Sequence, residues 1–296
     1  MLRYLVYACA LYAFCVHALA ARAQDEAAAE TANGIAWSLS ASGGLTAVDD
    51  DGDQPFARLG VTRFVGDGYV RASVTRFSTR DGAGLMDTVP ASTTQVSLAG
   101  GYGFGGLGVD AYASLGWRKF DPEAFSQRTG LPITIDSDGK TAGAGVSLSY
   151  EVALGQGTFL TPFAAGDINR VDIARAITVG GRGTISQKER QSGETGSVGF
   201  TLDRALGGSG SAIGAYAAFV ATSNSAVAIR SSAPVSAARL FGPQDVAGAS
   251  ASWLEYGASA SLGLSETLLL DFSAVRTAGF PGAESTSFSA GARVRF

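Results

Sequence analysis

The chain has 296 residues, a formal charge of −4 and 40 glycines. Charged residues make up 16 % and hydrophobic residues 46 %, against roughly 25 % charged in an average soluble domain. So apolar a chain is not disordered, its acidic balance argues against a nucleic-acid partner, and it is long enough for one sizeable domain.

The N-terminus reads as a cleaved secretory signal. Arg3 supplies the positive charge, residues 4–20 form an apolar stretch broken only by His17, and Ala21-Arg22-Ala23 is a small-x-small cleavage site before the polar Gln24, Asp25 and Glu26. The expected organisation is a signal peptide over 1–23, a short periplasmic or lumenal segment over 24–33, and a single domain over 34–296. Cys9, Cys15 and His17 are the only Cys and His, and all three leave with the signal. That removes disulfides, thiolate nucleophiles, imidazole bases and zinc-type sites. With Lys119, Lys140 and Lys188 the only lysines and no clustered carboxylates, the reading is not an enzyme, with no catalytic residue, no metal site and no cofactor. The acidic run Asp49-Asp50-Asp51-Gly52-Asp53 lacks the calcium-loop order, because Gln54 stands where that loop needs glycine, and it reads as a solvated turn. Asp136-Ser137-Asp138-Gly139 reads the same way.

Beyond residue 34 the dominant pattern has a period of two. Over 142–154, Ala142, Ala144, Val146, Leu148, Tyr150, Val152 and Leu154 share one face, and Gly143, Gly145, Ser147, Ser149 and Glu151 share the other. Successive side chains of a strand point to opposite faces, so one face is apolar and the other small or polar. Such segments recur at 35–47, 55–65, 69–79, 92–104, 108–120, 140–154, 158–170, 192–204, 211–223, 248–264, 266–278 and 286–296. Strands in soluble proteins run about five or six residues, whereas a tilted strand needs about 9–11 to cross a bilayer. Length therefore argues for an all-β transmembrane antiparallel barrel of about twelve strands. Tight Gly-rich turns at 66–68, 105–107, 155–157, 207–210 and 265–266 alternate with longer polar connections at 48–54, 80–91, 121–139, 171–191, 224–247 and 279–285, the asymmetry of periplasmic turns and external loops. Aromatic girdles are expected at both rims: Trp37, Tyr102, Phe104, Tyr150, Phe159 and Phe296 at the periplasmic one, Phe56, Phe77, Trp117, Phe120, Trp253, Tyr256 and Phe280 at the outer one.

Parity assigns Arg58, Arg71, Asp110, Arg118, Glu151, Asp203, Glu255, Asp271, Arg293 and Arg295 to the lumen. Arg63, Arg76 and Arg276 break that parity near strand ends, where snorkelling or a bulge accommodates them. Pro162 falls inside a strand and calls for a bulge or a place in its first turn. A mixed-charge lumen either lines an aqueous pore or closes it with ion pairs.

The last strand, 287–296, has apolar residues at every second place and ends on Phe296. It resembles the C-terminal signature of bacterial outer-membrane proteins read by the barrel-assembly machinery, with Phe296 as the assembly signal. Three further stretches resemble the twelve-stranded translocator (β) domain of autotransporters: Phe56 to Phe77 with its Gly-Val-x-Arg-Phe-x-Gly-Asp-Gly-Tyr hairpin, Ser149-Tyr150 through Gly155 into Leu160-Thr161-Pro162-Phe163, and Glu255 to Phe296. The resemblance implies the bacterial outer membrane, with its lipid and the assembly machinery as partners. Autotransporters carry a long passenger and a helix in the pore, and here only 24–33 lies between the signal and the first strand. The expected function is therefore a passive pore or small-solute channel. The alternatives are a structural or surface-recognition barrel with a closed lumen, acting through 121–139, 171–191 and 224–247, and a translocator barrel lacking its own passenger.

Overall fold

The computed structural model describes residues 36–48, 52–79, 91–120, 133–179, 184–207, 210–224, 250–280 and 284–296. The segments assigned to the signal peptide, 1–23, and to the N-terminal linker, 24–33, lie outside the described residues. The strands are β1 (Trp37–Val48), β2 (Gly52–Val65), β3 (Gly68–Thr79), β4 (Ala91–Phe104), β5 (Leu107–Phe120), β6 (Ile133–Tyr150), β7 (Val152–Gly155), β8 (Thr158–Val179), β9 (Thr184–Ala205), β10 (Ala212–Thr222), β11 (Ala251–Gly263), β12 (Leu268–Ala278) and β13 (Ser285–Arg295). β6 and β7 are one barrel strand. Both pair with β8 in a common register, Ser149 opposite Phe163 and Val152 opposite Leu160. The ladder lapses between them because Pro162, which has no N–H to give, stands opposite Tyr150. A register irregularity follows between Ala153 and Gly155.

Each strand pairs antiparallel with its neighbour, and β1 pairs with β13 from Ser38↔Arg295 to Val48↔Ser285. The result is a closed twelve-stranded barrel. The seam ends in a chelate: the N–H groups of Ala36 and Trp37 donate to the Phe296 carbonyl at 3.1 and 2.8 Å, and the Phe296 N–H donates to the Trp37 carbonyl at 3.0 Å. Ala36 and Phe296, the two ends of the described ring, thus lie at the rim of the tight turns. There, Gly105 and Gly106 join β4 to β5 with φ of 61° and 95°, a left-handed pair that glycine adopts without steric cost.

Burial alternates as the barrel requires. On β5, Ala111, Ala113, Leu115 and Trp117 are exposed, while Ser114, Gly116 and Arg118 are buried. The exposed parity carries Leu59, Val74, Leu98, Val146, Ile168, Phe200, Phe219, Leu254, Phe272 and Phe288. An apolar surface this continuous is far beyond what a soluble monomer shows, and it forms the lipid-facing band.

Two expectations are corrected. β6, β8 and β9 run well past residues 140, 170 and 192, so parts of the connections read as loops at 121–139 and 171–191 are strand. Above the bilayer both faces of a hairpin meet water. The apolar–polar alternation that marks a spanning strand is therefore absent there, although Val171, Ile173, Ile177, Thr178 and Ile185 favour extended backbone. The outer aromatic girdle is also sparser than expected. Trp117 and Tyr256 face outward, but Phe56, Phe77 and Trp253 lie on the buried parity, and Phe280 packs edge-on against Trp253 with ring centroids 5.0 Å apart. At the periplasmic rim Trp37, Tyr102, Phe104, Tyr150 and Phe296 are exposed, whereas Phe159 stands opposite Asp203 on the inward parity.

The two faces predict opposite tolerances. Val146→Arg places a guanidinium in lipid near mid-depth and should cost about 2–4 kcal/mol in reversible unfolding from vesicles. Ser147→Arg, one residue on and inward, should cost less than half as much. Equal costs would contradict the assigned faces.

Candidate functional site

The interior wall is built from long side chains laid flat across glycines. In the row Tyr69, Gly101, Asp110, the Tyr69 hydroxyl donates to Asp110 Oδ1 at 2.6 Å. A Cβ on Gly101 would collide with both partners. In the row Tyr112, Gly145, Asp167, the Tyr112 ring and the Asp167 side chain close over Gly145. Asn169 lies over Gly143 in the same way, Asp203 over Gly214, and Phe56 over Gly44. The small inward residues therefore make room for neighbouring side chains to hug the wall.

The charged residues assigned by parity take these places. Arg58 on β2 donates from Nη2 to Ser73 Oγ at 3.1 Å. Arg71 on β3 donates from Nε to Thr62 Oγ1 at 3.0 Å, and its guanidinium sits 5.2 Å from the Tyr69 ring centre. Arg118 is buried toward the outer end of β5, packed where Gly139 has no side chain. Glu151 is half-buried at the periplasmic rim, with its N–H donating to the Gly106 carbonyl at 2.9 Å. Asp203 accepts from Thr201 Oγ1 at 2.9 Å. Glu255, 1 % exposed, accepts from the Tyr216 hydroxyl and from Trp253 Nε1, both at 2.9 Å, which satisfies a buried carboxylate on both oxygens. Asp271 accepts from Ser261 Oγ at 2.7 Å and pairs with Arg293 Nη2 at 3.0 Å. Arg295 is half-buried beside the seam. Each of these side-chain contacts joins residues on the same, adjacent or next-but-one strands, so it runs along the wall.

The strand order sorts the charges. β13, β2 and β3 carry Arg293, Arg295, Arg58 and Arg71. β8, β9, β11 and β12 carry Asp167, Asp203, Glu255 and Asp271. The two sets meet where Asp271 on β12 pairs with Arg293 on β13, and β5 carries one charge of each sign, Asp110 and Arg118. An apolar cluster of Phe163, Tyr216, Val220, Trp253, Val275 and Phe280 fills one side of the interior toward the outer end. The residues that break parity stay outside: the Arg63 guanidinium lies 4.8 Å over the Trp37 ring, Arg276 pairs with Glu284 at 2.7 Å, and Arg76 is exposed.

Asp167, Asn169 and Tyr69 are not among the residues that parity assigned to the lumen. On β8 the inward face mixes Phe163 with Asp167 and Asn169, so neither face reads as polar. Pairing register, which places Asp167 beside Gly145, is the signal that finds them. Among the described residues no group of three or more His, Cys, Asp and Glu side chains has metal-site geometry.

A family model of the autotransporter β-domain matches residues 68–274, well over half of the chain. The chain belongs to the autotransporter β-domain family. Solved structures agree in fold. The translocator domain of the autotransporter NalP from Neisseria meningitidis superposes with a TM-score of 0.66 at 14 % identity, over 93 % of this chain and 96 % of that one. The β-domain of the Bordetella autotransporter BrkA does so with a TM-score of 0.56 at 18 % identity, over 88 % and 99 %. No curated protein matches the chain. The autotransporter β-domain is thus the frame on which this interior is laid.

The flat packing makes a test. Gly101→Val drives a branched side chain into Tyr69 and Asp110, an overpacking expected to cost about 1–3 kcal/mol. It should lower the temperature at which the folded, fast-migrating gel band is lost, while Gly196→Val should lower it far less, since the nearest atom to a Cβ there lies 3.9 Å away. An unchanged transition for Gly101→Val would contradict the overlay.

Proposed function

We propose that this autotransporter β-domain acts as a passive pore for small solutes in a bacterial outer membrane. The observation that carries the reading is the direction of the interior contacts. In the contacts described above, long side chains fold along the wall over glycines, and they leave basic side chains concentrated on β13, β2 and β3 and acidic ones on β8, β9, β11 and β12. A water-filled bore lined by such unevenly placed charges imposes a field on what passes. In the same reading the surrounding lipid is the barrel's solvent, and the exposed terminal Phe296 is what the assembly machinery reads.

Purified protein in planar bilayers should give discrete conductance steps. Asp167→Asn should shift the reversal potential in a salt gradient toward anion preference, and Arg58→Gln toward cation preference. Absence of conductance from a correctly folded barrel would overturn the pore. A second reading, favoured by the match to a translocator domain, is passage or anchoring of a polypeptide segment. It predicts that a tethered polypeptide at the N-terminus blocks the conductance and becomes accessible to protease from outside.

A further inference from the structure

The outer wall of β5, β6, β8 and β9 changes character along its length, at once on β8 and through small or polar residues on β6 and β9. Below the change, facing out, stand Leu115, Val146, Ile168 and Val198, all exposed and apolar. Above it come Lys119, Lys140, Arg170 and Arg190, also facing out and exposed. This boundary lies on the side opposite the tight turns and the Trp37–Phe296 end of the seam. In a spanning barrel it falls at the level of the lipid headgroups.

Two of these cations hold one carboxylate, and a third is its cross-strand neighbour. Arg170 donates from Nε to Asp172 at 3.1 Å and Arg190 from Nε at 2.7 Å. Pairing puts Lys140 opposite Asp172, and Asp172 opposite Arg190, in a single row that continues to the outward Trp117. The hydrogen bond from Arg190 holds the Asp172 carboxyl below the usual carboxylate range, with Arg170 adding to the effect, so the clamp is ionised at neutral pH. Both guanidiniums spend Nε on Asp172, and among the described residues their Nη nitrogens bond to nothing else. Lys140 likewise has no polar partner among them. Even with Glu194 one row below on β9, the cluster keeps a positive excess. Two guanidinium forks and an ammonium set side by side match the oxygens of a phosphate, and the apolar wall beneath suits acyl chains.

We propose that Lys140, Arg170 and Arg190, ordered by Asp172 and flanked by Lys119 and Trp117, dock the phosphate of an acylated glycolipid in the outward leaflet around the barrel. The inference rests on the barrel spanning a membrane in the orientation given above, and it is independent of whether the bore conducts.

The test uses the full barrel refolded into phosphatidylcholine vesicles containing either bisphosphorylated lipid A or the same lipid stripped of its phosphates. The readout is the temperature at which the folded gel band is lost, since a ligand bound to the native state raises it. The phosphorylated lipid should raise that temperature and the stripped lipid should not. The double variant Arg170→Gln/Arg190→Gln should lose most of the rise, and Lys140→Gln, which breaks no contact, should lose part of it. Arg63→Gln, at the opposite rim, should keep it. The proposal is overturned if neither lipid raises the temperature, if the stripped lipid does so equally, if Lys140→Gln and the double variant keep the full rise, or if inorganic phosphate with plain vesicles reproduces it, which would assign the cluster to free phosphate. Bilayer conductance, measured separately, fails or succeeds without touching this result.

Discussion

Every backbone N–H and C=O that enters hydrocarbon must find a partner within the protein, because no water is there to supply one. For strands the only complete answer is a ring. The first and last strands, separated by almost the whole chain, pair over the full length of the seam from Ser38↔Arg295 to Val48↔Ser285. The chelate between Trp37 and Phe296 seals its end. The rest follows from closure. The even strand count sets the start of β1 and the end of β13 at one rim, the pleat sets one parity outward into lipid, and the other parity is enclosed.

Enclosure decides the chemistry of the interior. At the depth of the hydrocarbon, charged side chains are costly on the outer face, so there they gather inside and bond to neighbours along the wall. The inward glycines are what permits this: Tyr69 reaches Asp110 only because Gly101 offers no Cβ between them. The buried Glu255 shows the same economy, with a tyrosine hydroxyl and an indole N–H each meeting one carboxylate oxygen. The ring also orders the charges, because residues far apart in sequence, such as Arg293 and Arg58, come to share one side of the bore.

Much of this was legible in the sequence, and for a physical reason. A strand with lipid on one side and water on the other has to alternate, so residues 142–154 announce both their conformation and their faces, and ten charged residues could be assigned by counting parity. Where both faces meet water, the signal ends. The upper parts of β6, β8 and β9 have no lipid to demand apolar residues, and they read as loops until their pairing is seen. Aromatic rings misled for a related reason. Phe56, Phe77 and Trp253 lie at the depth expected of a girdle, but rings are also welcome as packing inside, and depth alone does not fix direction. Asp167 stayed hidden because its face of β8 also carries Phe163, so that register with β6 was needed to place it. The outward cations on β6, β8 and β9 likewise become a cluster only once three strands are set side by side.

The central claim is closure at the seam in the stated register. It is tested most directly by cysteines introduced at Ala41 and Ala292, which face each other across β1 and β13, in a chain whose Cys9 and Cys15 are replaced or removed. Oxidation of the folded protein in vesicles should link the two within one chain and leave it as a monomer on a denaturing gel. Efficient linkage of Ala41 to Ala290 in place of Ala292, or linkage only between separate chains, would contradict the register or the closed ring on which everything else is built.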